Sequence, residues 1–146
     1  MKEVKIERAD KEDLKIIEQI LKNNSLPVDD IFDDHIRFYL AKIGDTVVGT
    51  VGLEKYGKLG LLRSLAVHDD YKNQHIGSQL VKYLEEESRK EGIKTLYLLT
   101  TNANRYFERF HFSSVSRLSV PESLQHSRQF AEICPTSSIV MKKDIH

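Results

Sequence analysis

A short polar loop between a strand-like run and a helical run carries residues suited to holding an anion. Residues 61–67 read Leu-Leu-Arg-Ser-Leu-Ala-Val, and a helical pattern begins near Gly77. Free backbone N–H groups at a helix start, together with the positive end of its dipole, bind anions. Gly77 permits close approach of the backbone, and Lys72, Gln74 and His75 add donors. The loop therefore predicts a phosphate site, although similar connections also occur without one.

Arg63 is the candidate for binding an anionic group of a substrate. It lies within the apolar run 59–67, and two-residue periodicity places it on the same strand face as Leu65 and Val67. A buried guanidinium needs an anionic partner. That partner is either one of the chain's own acids or a substrate carboxylate or related oxyanion held by two N–H groups. Arg128 could bind substrate in the same way, or it could be a solvated helix arginine.

Polar residues at two strand ends offer further chemistry. Thr100 and Thr101 end a compact apolar run, where ligands bind in parallel sheets, and they either hold a substrate or cap the next helix. Glu54 ends an earlier strand and either takes a proton from an ammonium group through water or is a surface glutamate. His35 and His68 are alternative bases. Water alone could suffice, because an α-amino group is less basic than a lysine side chain.

Composition narrows the class of protein. The 146 residues suit one domain, which we expect to span the whole chain, and 40% are apolar. Basic and acidic residues number 22 each, which argues against the basic face that nucleic acid requires. No run approaches the roughly 20 apolar residues of a membrane helix, and no signal peptide is evident. Cys134 is the only cysteine, so we expect no disulfide, no metal site and a cytoplasmic setting.

The elements that position these residues follow from the spacing of apolar side chains. The pattern predicts strands over residues 3–7, 37–43, 46–54, 59–67, 95–99, 112–117 and 138–141. It predicts helices from an Asp10 cap to about residue 23, from about residue 76 to Gly92, and over residues 102–110. A helical turn over 29–34 and a short helix opening at Ser119 complete the chain. The order predicts an α/β domain with a mixed sheet, in which strand 95–99 runs parallel to an earlier strand.

The run 67–80 resembles the acetyl-CoA motif of the GNAT superfamily. In that motif a strand ending in Val leads to a basic residue, two variable residues, Gly, any residue, and Gly or Ala. Lys72 takes the basic position and Gly77 the second glycine, whereas His75 replaces the first. The resemblance implies that the strand binds the pantetheine arm and that the loop cradles the diphosphate. It implies a cofactor site formed by Leu65, Ala66, Val67, Lys72, Asn73, Gln74, His75, Ile76, Gly77 and Ser78, with Asn104 and Phe107 from the following helix.

Residues 102–112 resemble the superfamily's second motif, an Asn-rich helix ending in Phe-Tyr-Glu-Lys-x-Gly-Phe. The family tyrosine, which can protonate the leaving thiolate, falls on Phe107, and the glycine falls on His111. The adjacent Tyr106 is the candidate acid, although one residue along a helix turns by about 100°. The family often has a glutamate, which acts as the base, at the position that Leu61 occupies here. Glu54 is therefore our candidate for the base.

Four segments narrow the resemblance. They are Leu-Pro-x-x-Asp at 26–30, the run 61–67, Leu-Leu-Thr-Thr at 98–101, and Arg-Gln-Phe-x-x-x-Cys-Pro-x-Ser at 128–137 with Met-Lys following at 141–142. Together they resemble the arsenic-resistance-associated N-acetyltransferases and, more loosely, the acetyltransferase domain of bacterial N-acetylglutamate synthase. This similarity implies transfer of acetyl from acetyl-CoA to the amino group of a small amino acid or amino-acid-like compound. Cys134 has no recognisable His partner nearby in sequence for a covalent relay, so direct attack in a ternary complex is the simplest mechanism.

The resemblance also implies a GNAT fold. Such a fold has a mixed, mostly antiparallel sheet with helices on both faces and central parallel strands that splay apart to admit acetyl-CoA. Dimers are common in the family. Two other functions stay open, because the family's first glycine, tyrosine and glutamate are replaced: a non-catalytic acyl-CoA-binding regulatory module, and an N-acetyltransferase acting on proteins.

Overall fold

The computed structural model describes residues 3–33, 35–72, 74–127 and 138–145. The strands are β1 (Val4–Arg8), β2 (Ile36–Ile43), β3 (Thr46–Tyr56), β4 (Leu59–Val67), β5 (Thr95–Thr100), β6 (Ser113–Val115) and β7 (Ile139–Asp144). The helices are α1 (Leu14–Asn23), α2 (Ile76–Lys90), α3 (Asn104–Glu108) and α4 (Glu122–Gln125). In this part of the chain, no helix is long and apolar enough to cross a membrane.

Within the described residues, the strands form one seven-stranded sheet in the order β1-β2-β3-β4-β5-β7-β6. β1 to β4 pair antiparallel in succession, and β2, β3 and β4 form an antiparallel meander, as the short connections between these three strands predict. α2 connects β4 to β5, and these two strands are parallel. β7 pairs antiparallel with both β5 and β6. The predicted mixed, mostly antiparallel sheet with a parallel central pair is confirmed.

Apolar side chains cover both faces of the sheet. α2 packs Leu80, Val81 and Leu84 on one face, where they join the largest buried cluster. On the opposite face, α1 contributes Ile17 and Ile20 to a second cluster. A third, smaller cluster on that side contains Leu61, Tyr97, Val120, Leu124 and Val140. Helices therefore lie on both faces, as the resemblance implies.

The structure confirms most element ends and corrects others. Asp10 caps the first helical segment in a capping box, since its side chain accepts from Glu12 N–H and Asp13 accepts from its backbone. Where a helical turn is predicted over 29–34, residues 29–32 form turns, with a hydrogen bond from Asp33 N–H to the Asp30 carbonyl oxygen, and residue 34 lies outside the described residues. The capping box predicted at Ser119 is wrong, because that residue closes a 3-10 turn and α4 starts after Pro121, without a side-chain cap. α3 and β6 are shorter than predicted, while β7 runs on to Asp144.

Candidate active site

The parallel strands β4 and β5 separate near the middle of the sheet. They pair only at Leu59↔Thr95, Gly60↔Leu96 and Leu61↔Tyr97, although β4 continues to Val67 and β5 to Thr100. A cavity of about 690 Å³ opens between the diverging ends. It is bounded by the end of α1, the starts of α2 and α3, and the first residue of the last described segment. The residues lining it include Asn24, Leu26, Pro27, Arg63, Ser64, Leu65, Ala66, Val67, Tyr71, Lys72, His75, Ile76, Gly77, Ser78, Thr100, Thr101, Tyr106, Phe107, Arg109 and Ser138.

A β-bulge at Ser64 turns the second half of β4. Arg63 pairs with Gly52 and Ala66 with Thr50, so two residues of β4 face one residue of β3. Ser64 takes a left-handed backbone with φ 56°. The bulge reverses the alternation of side chains beyond Arg63. The prediction that Arg63 shares a face with Leu65 and Val67 is therefore wrong: the latter two pack against the α2 side, whereas Arg63 reaches the loop after α1.

Arg63 binds two of the chain's own acids. Its Nη1 and Nη2 donate to the two carboxylate oxygens of Asp30 at 2.5 Å each, and Nη1 also donates to Glu54 Oε2 at 2.9 Å. Nε donates to Ser64 Oγ at 3.1 Å. The guanidinium is fully buried. Of the two kinds of partner predicted for Arg63, the structure shows the internal one, namely two acids of the chain itself.

The electrostatics of this cluster favour the charged form of Arg63. Burial by itself lowers the pKa of Arg63, but the hydrogen bonds and charges of Asp30 and Glu54 outweigh it, and the pKa rises above its ordinary value. The ion pair ties the loop after α1, which carries the cavity residues Leu26 and Pro27, to the middle of β4. This ion pair therefore connects two parts of the cavity wall.

Glu54 is buried, with only 1% of its side chain exposed. The alternative prediction that it is a surface glutamate is therefore wrong. Besides Arg63, it accepts a short hydrogen bond from the Tyr56 hydroxyl, and His35 Nε2 lies 3.2 Å from its Oε1. Burial and the bond to Glu54 raise the pKa of Tyr56 well above its ordinary value. Glu54 does not line the cavity, so the structure does not bring it to the predicted site of proton transfer.

The start of α2 has the backbone that an anion site needs. His75 precedes the helix in a left-handed conformation with φ 62°, and Ser78 Oγ donates to its carbonyl oxygen at 2.9 Å. No side chain of the described residues caps the first turn. Ile76, Gly77 and Ser78 line the cavity, so this uncapped first turn borders it. Gln74 lies outside the cavity, and the predicted contact Asn73 lies outside the described residues.

Both positions where the family motifs have glycine, but this chain has histidine, adopt left-handed backbone. His75 has φ 62° and His111 has φ 71°. Histidine tolerates this region better than branched or bulky residues do. The fold thus keeps, at both positions, the left-handed conformation that glycine would supply.

α3 carries aromatic and basic side chains into the cavity. The Tyr106 hydroxyl lies against Gly77, so closely that a Cβ at Gly77 would stand 2.1 Å from it. Phe107 is buried and lines the cavity wall, and Arg109 lies with its guanidinium 5.9 Å from the Tyr106 ring centre. Sequence reasoning missed Arg109. Arg109 follows Tyr106 by three residues, a spacing that makes two side chains neighbours on a helix surface, and this spacing could have identified it.

The remaining candidates divide into three groups. Thr100 Oγ1 accepts a hydrogen bond from Ala103 N–H at 2.9 Å, which is the capping role that was left open, while Thr101 is exposed and lines the cavity. Asn104 is not among the residues that line the cavity. Arg128 lies outside the described residues.

Among the described residues, no group of three or more His, Cys, Asp or Glu side chains could hold a metal ion.

Comparison with known proteins identifies the family to which the chain belongs. The model of the acetyltransferase (GNAT) family matches residues 5–112, so the chain belongs to that family. An uncharacterized N-acetyltransferase of Chlorobaculum tepidum is 31% identical over 93 residues, covering 62% of this chain and 59% of that protein. The amino-acid acetyltransferase of Pseudomonas paraeruginosa is 41% identical over 61 residues, which are 40% of this chain and 14% of that enzyme. The chain thus spans less than two thirds of the curated relatives it matches.

Solved structures share the fold at low sequence identity. N-acetylglutamate synthase from Neisseria gonorrhoeae, complexed with coenzyme A and N-acetyl-glutamate, superposes with a TM-score of 0.83 at 19% identity. The match covers 100% of this chain and 36% of that one. The ribosomal-protein-S18-alanine N-acetyltransferase from Escherichia coli gives a TM-score of 0.76 at 18% identity, covering 98% of this chain and 94% of that one. At these identities the likeness shows the fold.

Proposed function

We propose that the protein transfers the acetyl group of acetyl-CoA to the amino group of a small amino acid or amino-acid-like compound. One observation carries the proposal: a cavity runs from the diverging ends of β4 and β5 to the uncapped start of α2. An open strand edge can hydrogen-bond an amide-containing arm, and the helix start can hold the diphosphate. Both features lie in one cavity, in a chain that belongs to an acetyltransferase family.

The chain's residues fit coenzyme A at each end of the cavity. The backbone of Leu65 and Val67 would bind the pantetheine arm. Lys72, near the α2 start, would add positive charge. Its ammonium group lies 3.1 Å from Asp69 Oδ1. Because exposed ion pairs contribute little stability, Lys72 can leave Asp69 and bind a phosphate instead.

Transfer proceeds by direct attack. The lone pair of the neutral amine attacks the thioester carbonyl carbon, and a C–N bond forms. The C–S bond then breaks, the nitrogen loses one proton to water, and the sulfur leaves as thiolate and takes up a proton from water. Water takes the proton of the ammonium group, because Glu54 is enclosed by Arg63, Tyr56 and His35. An α-amino group is less basic than a lysine side chain, so a larger fraction of it is neutral at physiological pH and it needs a weaker base.

The relatives favour an amino acid as acceptor. Several curated relatives are amino-acid acetyltransferases, with 31–35% identity over nearly half of this chain in the first matches. An amino-acid carboxylate needs a cationic or hydroxyl partner. Since Arg63 is occupied, Arg128 and the cavity-lining Thr101 are our candidates for it.

Release of free coenzyme A from acetyl-CoA, measured against a panel of amino acids and oxyanion-bearing analogues, tests the proposal. We expect amine-dependent release that Arg128→Ala abolishes at low substrate concentration. Arg105→Ala is the matched control, because Arg105 is exposed on α3 and does not line the cavity. Coenzyme A binding without release for any acceptor would instead favour the non-catalytic binding module. Release that requires a protein N-terminus would favour the protein N-acetyltransferase.

A further inference from the structure

The Tyr106 hydroxyl lies beside the first turn of α2. Gly77 is the second residue of that helix, and the hydroxyl oxygen is 2.1 Å from the point where its Cβ would stand. The ring carbon that bears the hydroxyl is 3.4 Å from the same point, an ordinary contact distance. Only a glycine at this position leaves room for the oxygen. The hydroxyl therefore lies beside the backbone at the start of α2, a helix whose first turn no side chain of the described residues caps.

The ring of Tyr106 is held by its neighbours. The rings of Phe107 and Phe110 pack against it edge to face, with centres 5.3 and 5.1 Å away. Arg109 lies over it at 5.9 Å. Burial raises the pKa of the Tyr106 hydroxyl above its ordinary value, so the group stays protonated and can donate at neutral pH. A positioned O–H and a nearby guanidinium both suit a negatively charged ligand.

The geometry points to Tyr106 as a ligand of the diphosphate of acetyl-CoA rather than as the acid that protonates the thiolate. This inference rests on the proposed function. The diphosphate is the part of the cofactor that a helix start binds, and the sulfur lies at the opposite end of the pantetheine arm. One hydroxyl cannot both bind the diphosphate and donate a proton to the sulfur. Tyr106 thus supplies a side-chain donor to the loop in which His75 replaces the family's first glycine.

Binding of truncated cofactors to the intact protein separates the two roles. Isothermal titration would compare wild type and Tyr106→Phe with three ligands: coenzyme A, dephospho-coenzyme A, which keeps the diphosphate, and pantetheine, which lacks it. We expect Tyr106→Phe to weaken the first two by the same factor, about 10-fold to 100-fold for a hydrogen bond to a charged group, and to leave pantetheine unchanged. Tyr83→Phe is the matched control, since that α2 tyrosine packs against Tyr39 and does not line the cavity.

Steady-state kinetics give a second readout. With Tyr106→Phe, the KM for acetyl-CoA should rise by the factor seen in titration while kcat stays unchanged. An acid role predicts a lower kcat with acetyl-CoA and with acetyl-pantetheine alike, and that result would overturn the inference. Equal weakening of pantetheine and coenzyme A, or no weakening of either, would also overturn it.

The titration also keeps the two proposals apart. Coenzyme A that binds wild type and shows the Tyr106 effect, without any amine-dependent release, would refute the proposed transfer but support the inference. No binding of coenzyme A to wild type would refute both. Thermal unfolding of Tyr106→Phe and Tyr83→Phe checks that each variant is folded before its affinity is compared.

Discussion

Replacing Arg63 by methionine tests how the buried cluster of Asp30, Glu54 and Arg63 contributes to stability. Methionine keeps much of the side-chain volume but removes the charge and the donors. Two carboxylates, each 1% exposed, then lose their common cation. Breaking a buried ion pair by removing one partner costs about 3–5 kcal/mol, because the remaining charge is uncompensated. For a chain of 146 residues, each kcal/mol lowers Tm by about 3–4 °C, so we expect a fall of about 10–20 °C.

A charge-free triple variant separates the effect of charge from that of packing. In Asp30→Leu/Glu54→Gln/Arg63→Met, no buried charge remains, and glutamine can still accept from the Tyr56 hydroxyl. Replacing a buried ion cluster by groups of similar volume is often neutral or stabilising. We therefore expect the triple variant to recover to within about 2 kcal/mol of the wild type, well above the single variant.

Differential scanning calorimetry and urea unfolding would measure these differences. Arg37→Met is the matched control, because its ion pair with Glu91 is about one-quarter exposed and should contribute no more than about 1 kcal/mol. A loss below about 1 kcal/mol for Arg63→Met would refute the reasoning, since it would mean that the carboxylates are not desolvated. A triple variant as unstable as the single one would show that shape, not charge, holds the cluster.

Three further predictions follow from the backbone and the tyrosines. His75→Gly and His111→Gly should each raise the free energy of unfolding by roughly 0.5–1 kcal/mol in a urea titration, because both histidines have positive φ; lower stability would contradict this. Gly77→Ala should weaken coenzyme A binding, since its methyl group displaces the Tyr106 hydroxyl, and adding Tyr106→Phe should restore the thermal stability that the clash costs. Stability should be intact below pH 10 and fall as pH rises further, since the raised pKa of Tyr56 keeps it protonated in the folded state while the unfolded chain ionises. Absorbance at 295 nm would follow the ionisation of the tyrosines as the pH rises. Ionisation of all tyrosines of the native protein near their ordinary pKa would contradict the prediction.

Apolar periodicity was sufficient to predict the sheet and the long helices, because each of these elements buries a regular pattern of side chains. α2 shows this clearly: its buried residues recur at helical spacing, and Gly92, with φ 80°, follows its end. The family motifs then pointed to the loop before α2 as the cofactor loop, an assignment that stays a prediction. His75 and His111 could be located by their motif positions, and the structure gives them the backbone conformation that glycine adopts most readily.

The partners of the site residues could not be predicted in the same way. Arg63 and Asp30 lie 33 positions apart, and their contact depends on how the loop after α1 folds over the sheet. The bulge at Ser64 leaves no mark on the apolar pattern, since a serine with positive φ looks like any strand serine. The place of the Tyr106 hydroxyl depends on the packing of α3 against α2, which helical spacing alone does not fix.

The separation of β4 from β5 also gives the sheet an inner edge. Beyond Leu61 and Tyr97, the facing backbone groups of these strands are not paired with each other. Unpaired strand edges invite association with other chains. Coenzyme A bound there as proposed acts as a substitute strand, and ligand at 100 times its Kd stabilises the folded state by about 2.7 kcal/mol. The concentration of coenzyme A would then affect more than the amount of product made. It would also affect how fast the amides of β4 exchange with solvent, and how much of the chain stays folded and does not aggregate.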